Sequence, residues 1–240
     1  MGFVRGMVLV VTAVLLAAPV VAQSQGKAPP TVVNPKIPRL SDVVGESDLG
    51  LVEKLRKGGY VIFFRHSTTD WSQRDISYMD FENRAGQRNL SDAGKAQATA
   101  IGKSFTSLGV PVDSVFVSPM WRCRDTAELA FGRYEIRKAL FGKVPGGGEA
   151  PPTENRAEYR SERITMLSTA PTPGKNRVLV GQQDPMIPII PGLHRDELRE
   201  GDALLIQPMG SNKYKVVAHI TPDDWARLAA ASGPTQSGER

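Results

Sequence analysis

The feature that most constrains the fold of this chain is a continuous apolar run at residues 60–64, YVIFF. Successive β-forming side chains without a polar face are typical of a strand that is buried on both sides, as in a parallel sheet. Shorter runs at residues 114–117 and 177–180 have the same character. Parallel strands require crossover connections, so helices are expected between these runs.

Helical patterns do fill the intervals between the apolar runs. Apolar side chains recur at helical spacing, and capping residues or glycines mark several of the ends. This alternation predicts a three-layer α/β/α domain with a mostly parallel central sheet. Helices are predicted at residues 48–57, 91–108, 119–131, 154–168 and 223–231, with a strand at 134–141 and a closing hairpin at 203–207 and 213–220.

The N-terminus has the composition of an export signal. Arg5 precedes an apolar run, and Val20 and Ala22 place small residues just before a cleavage point at Gln23. We therefore predict a signal peptide at residues 1–22; the alternative is an uncleaved anchor. The remaining chain divides into a flexible leader (23–40), a folded domain (41–231) and a disordered tail (232–240). This predicts an exported protein, periplasmic or secreted, without a stable membrane span after cleavage.

Charge and cysteine content narrow the possible functions. The 240 residues carry a net charge of +5, spread without a Lys/Arg block, which argues against nucleic acid and suits an anionic ligand. Cys123 is the single cysteine, so no internal disulfide forms, and we interpret it as a small buried side chain. The three histidines lack metal-ligand spacing, so neither a metal nor an organic cofactor is predicted.

Two strand ends carry residues suited to anion chemistry. Arg65 and His66 follow the run at 60–64, and ligands of α/β sheets bind outside the carboxyl ends of strands. The guanidinium fork of Arg65 suits phosphate oxygens. After the second strand, Arg122 lies in the first turn of a predicted helix, where it acts together with the helix N-terminus on an anion.

Three segments, in order, resemble the signatures of the histidine phosphatase superfamily, also called phosphoglycerate-mutase-like. RHSTTDWS (65–72) is similar to its RHGxTxWN motif, LSDAGKAQA (90–98) to LTxxGxxQA, and SPMWRCRDTAE (118–128) to SPxxRxxxTAE. The chain is most similar to an exported bacterial branch, and the resemblance implies the phosphoglycerate-mutase-like α/β fold.

The resemblance also implies a reaction. His66 would attack phosphorus and carry the phosphoryl group as a phosphohistidine, while Arg65, Arg122 and the hydroxyl of Thr69 would bind its oxygens. A neutral imidazole is a good nucleophile near pH 7, and phosphoryl transfer depends mainly on positioning and charge stabilisation. The expected activity is phosphomonoester hydrolysis, on a phosphorylated small molecule or a phosphorylated macromolecule. A mutase is less favoured because no segment clearly predicts a lid that excludes water.

The sequence departs from the family pattern at three positions. Ser67 replaces a glycine and Ser72 replaces an asparagine. The larger departure is Gln182, which stands where the family has its second histidine, in the segment VLVGQ. An amide can donate a hydrogen bond to phosphate but carries no charge. We therefore expect phosphate binding with reduced turnover; the alternative is a non-catalytic phosphate-binding pseudoenzyme of the same fold.

The general acid that protonates the leaving group varies within the family. Asp184 is the preferred candidate because it follows Gln182 by two residues in the same predicted loop. Glu154 and Glu158 remain alternatives.

Overall fold

The computed structural model describes residues 1–2, 37–40, 48–77, 79–142, 156–195 and 197–232. The predicted signal peptide beyond residue 2, the leader up to residue 36 and the tail from residue 233 lie outside the described residues. Residues 37–40, which the sequence assigns to the leader, pack on the domain. Ile37 and Leu40 are buried, and Arg39 forms a β-bridge with His219. The packed part of the chain therefore includes residues before 41.

The described residues form an α/β domain with a six-stranded sheet and five α-helices. The strands are β1 (Val61–Arg65), β2 (Val112–Val117), β3 (Glu135–Ile136), β4 (Asn176–Gly181), β5 (Ala203–Gly210) and β6 (Lys213–Ile220). The helices are α1 (Asp48–Lys57), α2 (Asp92–Leu108), α3 (Trp121–Phe131), α4 (Arg156–Ser168) and α5 (Pro222–Ala231).

The sheet is mixed but mostly parallel, which confirms the predicted fold class. Its strand order is β3-β2-β4-β1-β5-β6. The pairs β1–β4, β2–β4 and β2–β3 are parallel, whereas β5 and β6 add the antiparallel hairpin. The carboxyl ends of β1, β2 and β4 consequently lie side by side at one edge of the sheet.

Alternate side chains of each central strand enter opposite layers. Ile62 and Phe64 of β1 belong to one core cluster, and Val61 and Phe63 belong to the other. The first cluster includes residues of α1, α2, α3 and α5, and the second includes residues of α4 and the chain around Ile190. Burial on both faces explains why the sequence shows continuous apolar runs instead of alternation.

Aromatic packing joins the helices of the first layer to β1. The ring centroids of Phe64 and Phe105 lie 5.9 Å apart, and those of Phe105 and Trp225 lie 4.7 Å apart. Phe131 contacts both phenylalanines. Each such ring contributes about 1.5–3 kcal/mol through burial, so β1 has a rigid apolar anchor directly before His66.

Local signals predicted most element boundaries approximately, and two of the differences have a clear physical cause. Helix α3 begins at Trp121, after Pro119, and its first N–H donates to the side chain of Gln87 (3.0 Å). The strand predicted at 134–141 contains only Glu135–Ile136, because Ala139 and Leu140 turn into the core as a 3₁₀ segment. Within the described ranges, no helix has the length and apolarity needed to cross a bilayer.

Candidate active site

Strand register places His66 next to Gln182. Arg65 pairs with Gly181 in the parallel β1–β4 ladder, and the His66 N–H donates to the Gly181 carbonyl (3.2 Å). Ser118 donates its N–H to Val180, so the segment after β2 joins the same edge (2.9 Å). The structure therefore brings together the three strand ends that the motifs single out.

The imidazole of His66 is buried, and its surroundings favour the neutral form. It is 2% exposed, and its Nδ1 lies 2.9 Å from the Ser67 carbonyl, an acceptor that requires the proton on Nδ1. Nε2 then carries the free lone pair. Burial lowers the pKa of His66 well below its usual range, Arg122, Arg65 and Arg88 lower it further, and the hydrogen bond to Ser67 partly opposes them.

The helix motif at residues 90–98 holds the loop that follows His66. Ser91 donates its N–H to the Thr68 carbonyl (3.1 Å), and Gln97 accepts from the Thr68 N–H (3.1 Å). Gly94 lies against Thr68 so closely that a Cβ there would lie 1.8 Å from the same carbonyl oxygen. The serine, glycine and glutamine of the motif therefore fix the backbone of Thr68, two residues after His66.

The threonine of the segment at 118–128 has a similar positioning role. Thr126 accepts the N–H of Ser67 (3.0 Å) and donates its own hydroxyl proton to the Arg122 carbonyl (2.7 Å). Helix α3 is thereby tied to the residue that orients the His66 ring.

Arg65 is half-buried and Arg122 is buried, and the guanidinium group of each donates to protein acceptors. Arg65 donates from Nη1 to the Leu198 carbonyl (2.7 Å), and burial lowers its pKa, opposed by the carboxylates of Glu200 and Asp184. Arg122 is 1% exposed, and its guanidinium group donates from Nη1 to Asp75 Oδ1 (2.9 Å). Arg122 Nε is buried without a hydrogen-bond partner in the described part of the chain.

Thr69 is committed to a carboxylate that the motifs do not include. Its N–H and its hydroxyl both donate to Glu200, each at 2.9 Å. The adjacent Gly201 donates its N–H to the His66 carbonyl (2.9 Å), so the turn that carries Glu200 is fixed on the backbone of His66. The φ of Gly201 is +92°. Glycine suits that backbone position, and a Cβ would also collide with Gln97.

Gln182 is buried, and its amide contacts the side chain of Cys123. Nε2 lies 3.3 Å from the sulfur of Cys123, and Oε1 has no hydrogen-bond partner among the described residues. The two amide atoms are distinguished only by their hydrogen bonds. Burial raises the pKa of the Cys123 thiol to about 12, so the thiol remains protonated and neutral beside the amide.

The general-acid candidates differ in their placement. Asp184 lies near Arg65, on whose pKa its charge acts, and it pairs with Arg195 at 3.2 Å. Glu158 is exposed in the first turn of α4. Glu154 lies outside the described residues. Of the two described candidates, Asp184 is the one whose charge acts on Arg65.

The sequence patterns did not predict three charged residues at this site, Arg88, Glu200 and Asp75. Arg88 is 7% exposed and its Nη2 lies 3.7 Å from Glu200 Oε1, the oxygen that also lies 3.7 Å from Arg65 Nη2. Asp75 neutralises Arg122. None of the three is part of a motif; the only local signal is that Arg88 lies three residues before Ser91, the N-cap of α2. In the described ranges, no group of three or more His, Cys, Asp or Glu is arranged to hold a metal ion.

The lowered pKa of His66 predicts a stability difference that depends on pH. The unfolded chain binds a proton at pH 6.5 and the folded chain only at lower pH, so stability is present above pH 6.5 and falls below it. This loss amounts to about 1.4 kcal/mol per pH unit. His66→Gln should show a shallower fall than wild type in urea unfolding at pH 7.5, 6.0 and 5.0. Equal slopes would contradict the burial of a neutral imidazole.

A family model confirms the sequence resemblance over part of the chain. Residues 61–140 match the model described as "Histidine phosphatase superfamily (branch 1)". This range begins at β1 and includes His66, the α2 motif and Arg122. It ends before β4, so it does not reach Gln182.

Curated relatives and solved structures are more distant. Serine/threonine-protein phosphatase Pgam5, mitochondrial, is 26% identical in Drosophila grimshawi over 110 residues (45% of this chain, 35% of the relative), and 27% identical in Drosophila yakuba over 85 residues (35% and 26%). The chain thus spans 35% and 26% of the lengths of these two relatives.

Two solved structures are similar at TM-score 0.47 and 11% identity, each covering 69% of this chain and 98% of the other. They are the protein histidine phosphatase SixA complexed with tungstate, and a phosphoserine phosphatase from Entamoeba histolytica in complex with phosphoserine. The resemblance of the chain to the histidine phosphatase superfamily therefore covers residues 61–140.

Proposed function

We propose that this protein hydrolyses phosphomonoesters through a phosphohistidine formed on His66. The observation that carries the proposal is a buried imidazole with its Nδ1 proton held by a carbonyl, and with Arg65 and Arg122 close enough to lower its pKa. Such a group is a neutral nucleophile surrounded by fixed positive charge. This combination suits attack on a phosphate dianion.

The reaction has two displacements at phosphorus. Nε2 of His66 forms a bond to phosphorus as the bond to the leaving oxygen breaks, and that oxygen takes a proton from Asp184. Water then attacks phosphorus, the N–P bond breaks, and a proton of the water returns to the carboxylate. Inorganic phosphate leaves and His66 is neutral again. Arg65, Arg122 and the amide of Gln182 bind phosphoryl oxygens, and Thr69 joins them when the substrate displaces Glu200.

Gln182 is expected to reduce turnover without preventing phosphate binding. Losing one charged donor directed at developing charge lowers the rate by about 10²–10³-fold. The amide retains a hydrogen-bonding group in a buried position (6% exposed) next to the nucleophile. Phosphate recognition therefore persists, whereas stabilisation of the transition state is weaker.

The substrate class that fits is a phosphorylated small molecule or a phosphorylated macromolecule outside the cytoplasm. The relatives named as serine/threonine-protein phosphatases favour a phosphorylated protein side chain, on the basis of the 110-residue similarity. Export follows from the signal-like residues 1–22. Sequencing of the mature N-terminus tests the export proposal, and a protein that starts at Met1 would contradict cleavage.

A second candidate is a phosphate-binding pseudoenzyme. It is favoured by Gln182, whose Nε2 donates to Cys123 and whose side chain cannot be charged. A pure binder needs the arginines but does not need a nucleophile with a free Nε2. The His66 geometry therefore favours the enzyme.

The deciding experiment traps the covalent intermediate. Wild type and Gln182→His are each mixed with a ³²P-labelled phosphomonoester, quenched in alkali and digested, because phosphohistidine survives alkali and is lost in acid. The label should map to His66 in both proteins, and Gln182→His should turn over faster, by at most about 10²–10³-fold. Phosphate binding with neither label nor turnover in either protein would establish the pseudoenzyme instead.

A further inference from the structure

Arg88 is a third arginine at the site, and its backbone is held by Asp75 and Arg122. It precedes the α2 N-cap by three residues and is 7% exposed. Its N–H donates to Asp75 Oδ1 (2.9 Å), the atom that also accepts from Arg122 Nη1. Its carbonyl accepts from the same Arg122 nitrogen (3.2 Å). Arg88 and Arg122 are thus held side by side through one carboxylate.

The side chain of Arg88 faces the same carboxylate as Arg65. Glu200 Oε1 lies 3.7 Å from Nη2 of each arginine. On its other side, the guanidinium carbon of Arg88 lies 3.7 Å from the centre of the Trp71 ring, a stacking distance that restricts its rotation. Arg88 Nε is buried and has no hydrogen-bond partner among the residues that the structure describes. The guanidinium is therefore oriented while one of its donors stays unused.

The positive charge of Arg88 affects the protonation of His66. Arg88 is one of three arginines that lower the pKa of His66, together with Arg122 and Arg65. At the neighbouring strand end, Gln182 supplies no charge. In the transition state, the transferring phosphoryl group spreads negative charge over three equatorial oxygens. Arg65, Arg122 and the neutral amide of Gln182 would leave part of that charge without a cationic partner.

We propose that Arg88 is a further catalytic residue, which contacts the transferring phosphoryl group and supplies the positive charge that position 182 lacks. This proposal rests on the proposed function of the site. Glu200 marks the position of the anion, because it bridges Arg65 and Arg88 and occupies the donors of Thr69. On substrate binding, phosphoryl oxygens replace the Glu200 carboxylate as partner of the two guanidinium groups.

The competing explanation is that Arg88 only balances the charge of Glu200 and packs on Trp71. The two explanations differ in their relation to position 182. If the charge of Arg88 substitutes for the missing imidazolium, its contribution to kcat becomes smaller in Gln182→His, because the two groups act on the same developing charge. A structural arginine loses the same amount in both backgrounds.

The test is a double-mutant cycle of wild type, Arg88→Gln, Gln182→His and the double variant. kcat and KM are measured with an aryl phosphate, and Kd is measured for vanadate, which adopts the five-coordinate geometry of the transition state. Arg88→Gln should lower kcat by about 10²–10³-fold in wild type, and by less than about 10-fold in the Gln182→His background. Gln182→His alone should raise kcat by less than the ceiling of about 10²–10³-fold, since Arg88 already supplies part of the missing charge.

Arg84→Gln is the matched control. Arg84 also stacks on a tryptophan, 4.5 Å from the ring centre of Trp121, and it pairs with Asp125. Its removal should change kcat by less than about twofold, as for ordinary surface substitutions. A kcat loss in the Arg84 variant equal to that of Arg88→Gln would overturn the proposal.

The remaining outcomes separate the proposal from the function on which it rests. Equal losses from Arg88→Gln in both backgrounds, in kcat and in vanadate Kd, would assign Arg88 a structural role. The protein could also fail to hydrolyse the ester while the effects of Arg88→Gln and Gln182→His on vanadate Kd depend on each other as expected. That result would contradict the proposed function but support contact between Arg88 and the phosphoryl group. Wild type that does not bind vanadate would overturn both.

Discussion

His66→Ala should lower kcat/KM for phosphomonoesters by roughly 10⁴–10⁶-fold, as for loss of the nucleophile in covalent catalysis. The reason is the arrangement of its two ring nitrogens. Ser67 holds Nδ1 at 2.9 Å, so Nε2 alone is available to attack phosphorus. Removal of the ring leaves the arginines in place but nothing to form the covalent intermediate. Steady-state kinetics of the two proteins measures the loss.

A matched control separates this loss from the general effect of losing a histidine. His194 is exposed, and its main-chain carbonyl, which a substitution retains, accepts from the side chain of Gln183 (2.8 Å). His194→Ala should therefore retain kcat/KM within about twofold, as expected for surface substitutions. A loss with His194→Ala comparable to that with His66→Ala would contradict the assignment of His66 as the nucleophile.

The strand-end residues of the site could be predicted from local sequence. His66 and Gln182 each follow a continuous apolar run, and Arg122 follows another run by way of a proline and a helix start. Buried parallel strands are among the clearest sequence patterns, and their carboxyl ends meet at one edge of the sheet. The positions of these three residues therefore required no knowledge of distant contacts.

Arg88, Asp75 and Glu200 could not be predicted in this way. They lie in segments without hydrophobic periodicity, and they join the site through contacts between distant parts of the chain. Glu200 accepts from Thr69 across 131 positions, and Asp75 pairs with Arg122 across 47. Single-sequence patterns report local structure only, so a charge that becomes buried by a tertiary contact looks like an ordinary surface charge.

The role of Cys123 shows the same limit on a smaller scale. The sequence predicts a buried filler, and burial is what the structure shows (0% exposed). Its contact with Gln182 at 3.3 Å depends on how α3 packs on β4. The sequence identified both residues but could not predict that the amide faces a thiol.

Arg122→Gln should affect both stability and turnover, because the residue forms a buried ion pair. The side chains of Arg122 and Asp75 are 2% and 5% exposed, with Nη1 and Oδ1 at 2.9 Å. Breaking such a pair leaves Asp75 as a buried charge and lowers the free energy of unfolding by about 3–5 kcal/mol. Loss of a charged donor to the phosphoryl group should lower kcat by a further 10²–10³-fold or so. Urea unfolding and steady-state kinetics measure the two effects.

The double variant Arg122→Gln/Asp75→Asn separates these effects. Neutralising both partners removes the uncompensated charge, so most of the stability should return, while turnover should stay at the level of the single variant. Arg124→Gln in the same helix is the control: this arginine is also buried, but it pairs with Glu82, which is 80% exposed. It should lose less stability and keep its turnover. Recovery of turnover in the double variant would mean that Arg122 acts only by neutralising Asp75, and that Arg65 and Arg88 bind the phosphoryl group without it.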